Sequence, residues 1–122
     1  MATDFDVVVV GAGISGIGAG YWLQKLCPGK RFVILEGREA LGGTWDFFRY
    51  PGLRSDSDMY TFGYSFHPWR SSRPIAEASQ ILAYLEEVVK KYGIAEKIRF
   101  GEELRSASFH TAESQWKLKT SR

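Results

Sequence analysis

Residues 5–36 place the strongest constraint on what this chain can fold into. Phe5 to Val10 is a short apolar run rich in β-branched residues. That is the pattern of a strand buried on both faces of a parallel sheet. Gly11, Gly13 and Gly16 follow at once, in the spacing G-x-G-x-x-G. Ile14, Ile17, Tyr21, Trp22, Leu23 and Leu26 then recur at helical spacing as far as Cys27 and Pro28. Arg31 to Glu36 predicts a second strand, with Phe32, Val33, Ile34 and Leu35 continuous and apolar. Strand, glycine turn, helix and strand make a βαβ unit. The fold class is therefore α/β, a Rossmann-like domain around a parallel sheet.

Each glycine of the turn has a distinct task. Gly11 permits the tight turn, Gly13 lets a pyrophosphate approach the backbone, and Gly16 lets the helix pack closely on the strand. The helix N-terminus offers unpaired N–H groups and a partial positive charge to phosphates. Ser15, in the first turn, adds a hydroxyl. Gly18 and Gly20 cost about 1 kcal/mol each against Ala inside a helix; close packing on the sheet would account for them. Glu36 follows Gly16 by the twenty residues expected of a ribose-binding acid. A 2′-phosphate there would meet a like charge, so the site favours FAD or NAD over NADP. Arg38 raises the opposite reading, but an acid at the strand end decides against it.

Leu41-Gly42-Gly43-Thr44-Trp45 forms a second glycine-rich turn. Beyond it, from Gly42 to Trp69, runs an aromatic stretch without clear periodicity, holding Trp45, Phe47, Phe48, Tyr50, Tyr60, Phe62, Tyr64, Phe66 and Trp69. So long an irregular segment either binds something, such as a flat isoalloxazine ring, or covers an aromatic core cluster.

Within this stretch Gly43-x-Trp45, four residues, Tyr50-Pro51-Gly52, three residues, Asp56 resembles the flavin-loop signature of Baeyer–Villiger monooxygenases. These are class B flavoprotein monooxygenases, related to the flavin-containing monooxygenases. The longer string GGTWDFFRYPGLRSDSDMYTFGYSFHPW is similar to the ethionamide-activating subgroup. The likeness runs from about Phe5 through at least Phe100.

The resemblance implies a set of roles. Ser15 and Glu36 would hold the ADP part of FAD, while Gly43, Thr44, Trp45, Asp46 and Phe47 would line the flavin side. Arg54, Ser55 and Asp56 would border the NADPH site, with Asp56 the catalytic carboxylate beside the flavin. Leu104 would touch adenine through its backbone. Arg54 and Asp56 also have a plainer reading as solvated loop residues, and Asp58 reads as a turn cap. The implied chemistry is NADPH reduction of FAD and formation of a flavin C4a-(hydro)peroxide from O₂. Oxygen is then inserted into a ketone or added to sulfur or nitrogen, as in a thioether or thioamide. An FAD-dependent oxidase of the same fold and a non-catalytic fragment are the alternatives.

The family also implies a second glycine fingerprint for NADPH and a linker of the form FxGxxxHxxxW. The sequence contains neither: its one G-x-G-x-x-G spans Gly11 to Gly16, and the surroundings of His67 and His110 do not fit the linker. Residues 1–122 therefore read as the N-terminal portion of an FAD-binding domain, without the NADPH-binding domain and inactive alone.

Composition excludes several classes. The formal net charge of +2 comes with no basic cluster, which argues against nucleic acid. No apolar run is long enough to span a membrane, and Asp4 and Asp6 argue against a signal peptide. A cytoplasmic location is expected, with peripheral membrane association left open by the aromatics. One cysteine excludes a redox pair and, with two histidines, a zinc site. Cys27 reads as a small apolar residue ending the first helix.

The remainder reads as scaffold. Ala78 to Tyr92 is an amphipathic helix closed by Gly93, and Ile98 to Phe100 a strand. Leu104 to His110 and Gln115 to Lys119 form a hairpin across which Phe109 and Trp116 can pair.

Overall fold

The computed structural model describes residues 4–122. Three parallel strands, β1 (Val7–Val10), β2 (Phe32–Leu35) and β3 (Ile98–Arg99), lie in the order β1-β2-β3. Val7 faces Phe32 and Val10 faces Leu35, while Ile34 pairs with Ile98. β2 is the central strand and all four of its residues are buried. β1 departs from expectation. Among the described residues no strand pairs with its outer edge, its residues are only partly covered, and Val10 is 61% exposed.

The first helix, α1 (Ile14–Leu26), connects β1 to β2. It ends where the Cys27 N–H donates to the Leu23 carbonyl at 2.9 Å. Cys27 itself is exposed, so it is not the apolar filler expected. Gly20 faces the sheet as expected: an added Cβ would stand 3.1 Å from Ile34 and 3.2 Å from Ile94. Gly18 does not. Its added Cβ would lie 2.9 Å from the Tyr64 ring, so this glycine admits an aromatic side chain rather than the sheet.

The irregular stretch contains two single-turn helices, α2 (Thr44–Phe47) and α3 (Met59–Phe62). Asp58 caps α3 by accepting the Thr61 N–H at 3.0 Å. The long helix α4 (Ala78–Lys91) starts at a capping box formed by Glu77 and Gln80. It buries Ile81, Leu85, Val88 and Val89 in one core with Ile17, Ile34 and Ile94. Each such side chain contributes about 1.5–3 kcal/mol. Tyr92 caps α4 and Gly93 follows at φ +68°. The chain then returns through β3 to an antiparallel hairpin of β4 (Leu104–His110) and β5 (Gln115–Thr120). Phe109 and Trp116 are directly opposite, with ring centroids 5.4 Å apart.

The second half of the aromatic stretch is a core cluster. Phe66 lies between Tyr21 and Tyr64, at 3.6 and 4.7 Å between centroids. The Tyr64 hydroxyl donates to the Ile14 carbonyl, in the first turn of α1. The Tyr84 hydroxyl accepts the Tyr64 N–H at 2.9 Å and donates to the His67 carbonyl. Burial pushes both phenols above their ordinary pKa, which keeps them as neutral donors. These bonds connect the back of α1 to α4.

Candidate functional site

The two glycine turns meet at the C-terminal end of β1. Gly11 leaves the strand at φ +101°, and its N–H donates to the Leu35 carbonyl at 2.7 Å. The Ala12 carbonyl then accepts the Gly42 N–H at 2.9 Å, which draws the second turn against the first. Gly42 and Gly43 both have positive φ, at +118° and +53°. A Cβ added at Gly43 would stand 3.2 Å from Gly13 Cα, and one added at Gly16 would run into the Gly11 carbonyl. At Gly16 no larger residue fits without moving backbone.

The result is an open crevice of about 270 Å³, lined by Val10, Gly11, Gly13, Ile14, Ser15, Gly16, Gly42, Gly43, Thr44 and Trp45. The N-terminus of α1 opens into it. Gly13 is the N-cap, no side chain caps the helix, and the first turn holds no acid. The first N–H groups of a helix have no intrahelical partner, and the helix dipole is positive there. A crevice walled by backbone, with uncapped donors at its floor, fits a diphosphate.

Glu36 is fixed beside this crevice and is 8% exposed. Its Oε1 accepts the Ala12 N–H at 2.8 Å, and its Oε2 accepts the Arg38 N–H at 3.0 Å. Its own main chain bonds the Arg99 carbonyl and the Glu102 N–H, at 2.9 and 3.0 Å. A carboxylate has about four lone-pair sites. Two are used here, so the acid is held in place and still has capacity to accept from hydroxyls.

Asp46, expected from the resemblance to line the flavin side, lies outside the crevice lining, behind the second glycine turn. It is buried, and its carboxylate is shared by two arginines. Arg38 Nη2 donates to Oδ2 at 2.9 Å, and Arg49 Nη2 donates to Oδ1 at 2.7 Å. Arg49 Nε also bonds the Asp46 carbonyl at 2.6 Å. The hydrogen bond from Arg38, reinforced by both positive charges, holds the Asp46 carboxyl below the usual carboxylate range. Sequence reasoning misses this clamp. The available signals are Arg49 three residues after Asp46, and Arg38 two residues after the strand-end acid.

Of the residues singled out from the sequence, the structure brings Gly11, Gly13, Ser15, Gly16, Gly43, Thr44 and Trp45 together in the crevice. Glu36, Asp46, Phe47, Arg54, Ser55, Asp56 and Leu104 lie outside its lining, Glu36 one hydrogen bond away through Ala12. Phe47 is exposed beneath the Arg38 guanidinium, 5.3 Å from its ring centroid. Ser55 is buried, and its hydroxyl accepts the Ala76 N–H at 3.1 Å. Arg54 bridges Glu77 through the backbone, Asp56 is exposed, and Leu104 opens β4 opposite Thr120. No cluster of metal-ligating side chains occurs among the described residues.

A protein-family model described as NAD(P)-binding Rossmann-like domain matches residues 9–85. The chain belongs to this family. Within the Rossmann-like family it is similar to FAD-containing monooxygenase EthA of Mycobacterium tuberculosis, at 53% identity over 116 residues. Those residues are 95% of this chain and 24% of that protein. It is 50% identical to the probable FAD-binding monooxygenase AlmA of Acinetobacter baylyi, over 95% of this chain and 23% of that one. Among solved structures, steroid monooxygenase bound to NADP superposes with a TM-score of 0.89 at 35% identity, covering 98% of this chain and 23% of that one. Cyclohexanone-bound cyclohexanone monooxygenase gives 0.87 at 32% identity, covering 96% and 24%. OTEMO complexed with FAD and NADP gives 0.89 at 27% identity, covering 99% and 24%. The Rossmann-like chain thus spans about a quarter of these relatives, and the resemblance to flavin monooxygenases of the Baeyer–Villiger class holds over nearly all of it. No helix of the described residues is long and apolar enough to cross a membrane.

Proposed function

We propose that this chain is the FAD-binding unit of an NADPH-dependent flavin monooxygenase, acting on ketones or on sulfur and nitrogen centres, with O₂ as co-substrate. One observation carries the reading. Two glycine turns locked together by the Ala12–Gly42 bond open at an uncapped helix N-terminus, beside a fixed acid. A diphosphate and the ribose beside it call for those features side by side. The similarity to FAD-containing monooxygenases supports the choice of flavin.

The chain's residues divide the work. The first-turn N–H groups of α1 and Ser15 bind phosphate, and Glu36 accepts from the adenosine ribose. Thr44 and Trp45 orient the flavin half, and Leu104 supports adenine through its backbone. Bound there, FAD would supply electron transfer from NADPH and the activation of O₂. Arg54, Ser55 and Asp56 face the nicotinamide side. Asp56 serves there as a carboxylate that orients a cation supplied by another segment. Ser55 acts through its bond to Ala76, which fixes the loop that carries its two neighbours. The NADPH-binding unit lies outside residues 1–122 in this reading, and the need for NADPH implies a cytoplasmic location.

A chimera tests it, with this chain replacing the corresponding segment of EthA. The expected product carries one FAD and oxygenates a ketone or thioether only with NADPH. Asp56→Ala in the same chimera should keep its FAD and lose oxygenation. A chimera that folds without FAD would contradict the proposal, and full turnover in Asp56→Ala would remove that residue from it.

A further inference from the structure

We propose that Asp46 determines specificity at the ribose site: by sequestering the Arg38 guanidinium, it makes the site reject nucleotides that carry a 2′-phosphate. The inference rests on the reading that a dinucleotide places its adenosine ribose at Glu36.

Arg38 begins at the ribose acid, since its main-chain N–H donates to Glu36 Oε2 at 3.0 Å. An arginine close to the strand-end acid is the feature by which a Rossmann site accommodates a 2′-phosphate. Here that arginine is engaged. Its Nε and Nη2 both bond Asp46 Oδ2, at 3.3 and 2.9 Å, and its guanidinium lies over Phe47. The Asp46 side chain is 9% exposed, against 43% for Arg38 and 70% for Arg49. The acid is therefore the fixed anchor and Arg38 the part able to swing. Two acids and two arginines balance to zero charge around the ribose acid. Removing Asp46 alone leaves the group, Glu36 included, with a net charge of +1 and frees a guanidinium for phosphate. A bidentate guanidinium–phosphate contact is strong and geometrically specific. The choice between the two nucleotide classes is therefore set by Glu36 together with a buried acid ten residues beyond it, which holds the competing arginine away.

The test compares ADP-ribose with 2′-phospho-ADP-ribose by calorimetric titration of the whole chain. The native protein should prefer ADP-ribose. Asp46→Asn should reduce that preference by about ten- to a hundredfold, chiefly by tightening the phosphorylated ligand. Asp46→Asn combined with Arg38→Gln should restore the native ratio, because the freed cation is then absent. A purely structural role for Asp46 would weaken both ligands together and leave their ratio unchanged, which would overturn the inference. Arg38→Gln alone keeps the Asp46–Arg49 pair and covers the case in which Asp46→Asn does not fold. It should leave the ratio within about twofold; a marked sharpening would show that Arg38 already meets the phosphate and would equally overturn the inference. A native chain that binds neither ligand would contradict the underlying cofactor reading, an outcome distinct from binding with an unaltered ratio.

Discussion

Glu36 is held by two backbone N–H donors, Ala12 in the turn after β1 and Arg38 two residues beyond Glu36 itself, so its carboxylate has a single orientation before any ligand arrives. Such preorganisation lowers the cost of binding. Glu36→Lys removes both acceptors and reverses the charge at the ribose. FAD affinity should fall by about a hundredfold or more, since each charged hydrogen bond contributes about 1.5–3 kcal/mol; equilibrium dialysis reads it directly. Asp46 gives a prediction in pH. Its folded pKa lies below the unfolded value of about 3.9. Its contribution is therefore present above the unfolded value and lost as pH falls through the folded one. Thermal melts of the native protein and Asp46→Asn should differ above about pH 4 and converge below it. At this scale the sequence shows where the glycines of the crevice and the strand-end acid fall, because spacing from the strand fixes them. It does not show that Asp46 faces arginines, because its partners lie 8 and 3 residues away in opposite directions along the chain.

The elements that carry the site are legible to different degrees. The strands β1 and β2, helices α1 and α4, and the hairpin follow from apolar runs and periodicity, and appear within a residue or two of the expected bounds. The helices α2 and α3 do not, since four residues are too few to display a period. Nor does the partner of Gly18. A helical glycine signals only that something comes close, and here it is a tyrosine ring supplied from 46 residues further along. Gly18→Ala should destabilise the fold by about 1–3 kcal/mol through overpacking. Gly29→Ala, with nothing within 4 Å of the added Cβ, should stay within about 0.5 kcal/mol of native. Urea denaturation distinguishes the two. Because Tyr64 bonds Ile14, displacement of that ring should also disturb the first turn of α1, so Gly18→Ala should weaken nucleotide binding from the far side of the helix.

Across the whole molecule, the core lies where α1, β2 and α4 meet, and the crevice opens at the end of β1. β1 has its second edge unpaired among the described residues, and Val10, Phe47, Phe48 and Tyr50 are exposed. The strand run alone could not reveal this, because a β-branched tetrad looks the same at an edge and at the centre of a sheet. The central claim is that the chain cradles the ADP half of FAD between its two glycine turns. Titration of the purified chain with FAD, followed by flavin fluorescence, tests this most directly. Saturable binding at one FAD per chain is predicted, abolished by Gly16→Val, whose side chain would collide with the Gly11 carbonyl. A folded native chain with no saturable binding, or a Gly16→Val variant that binds as tightly as the native one, would contradict the account.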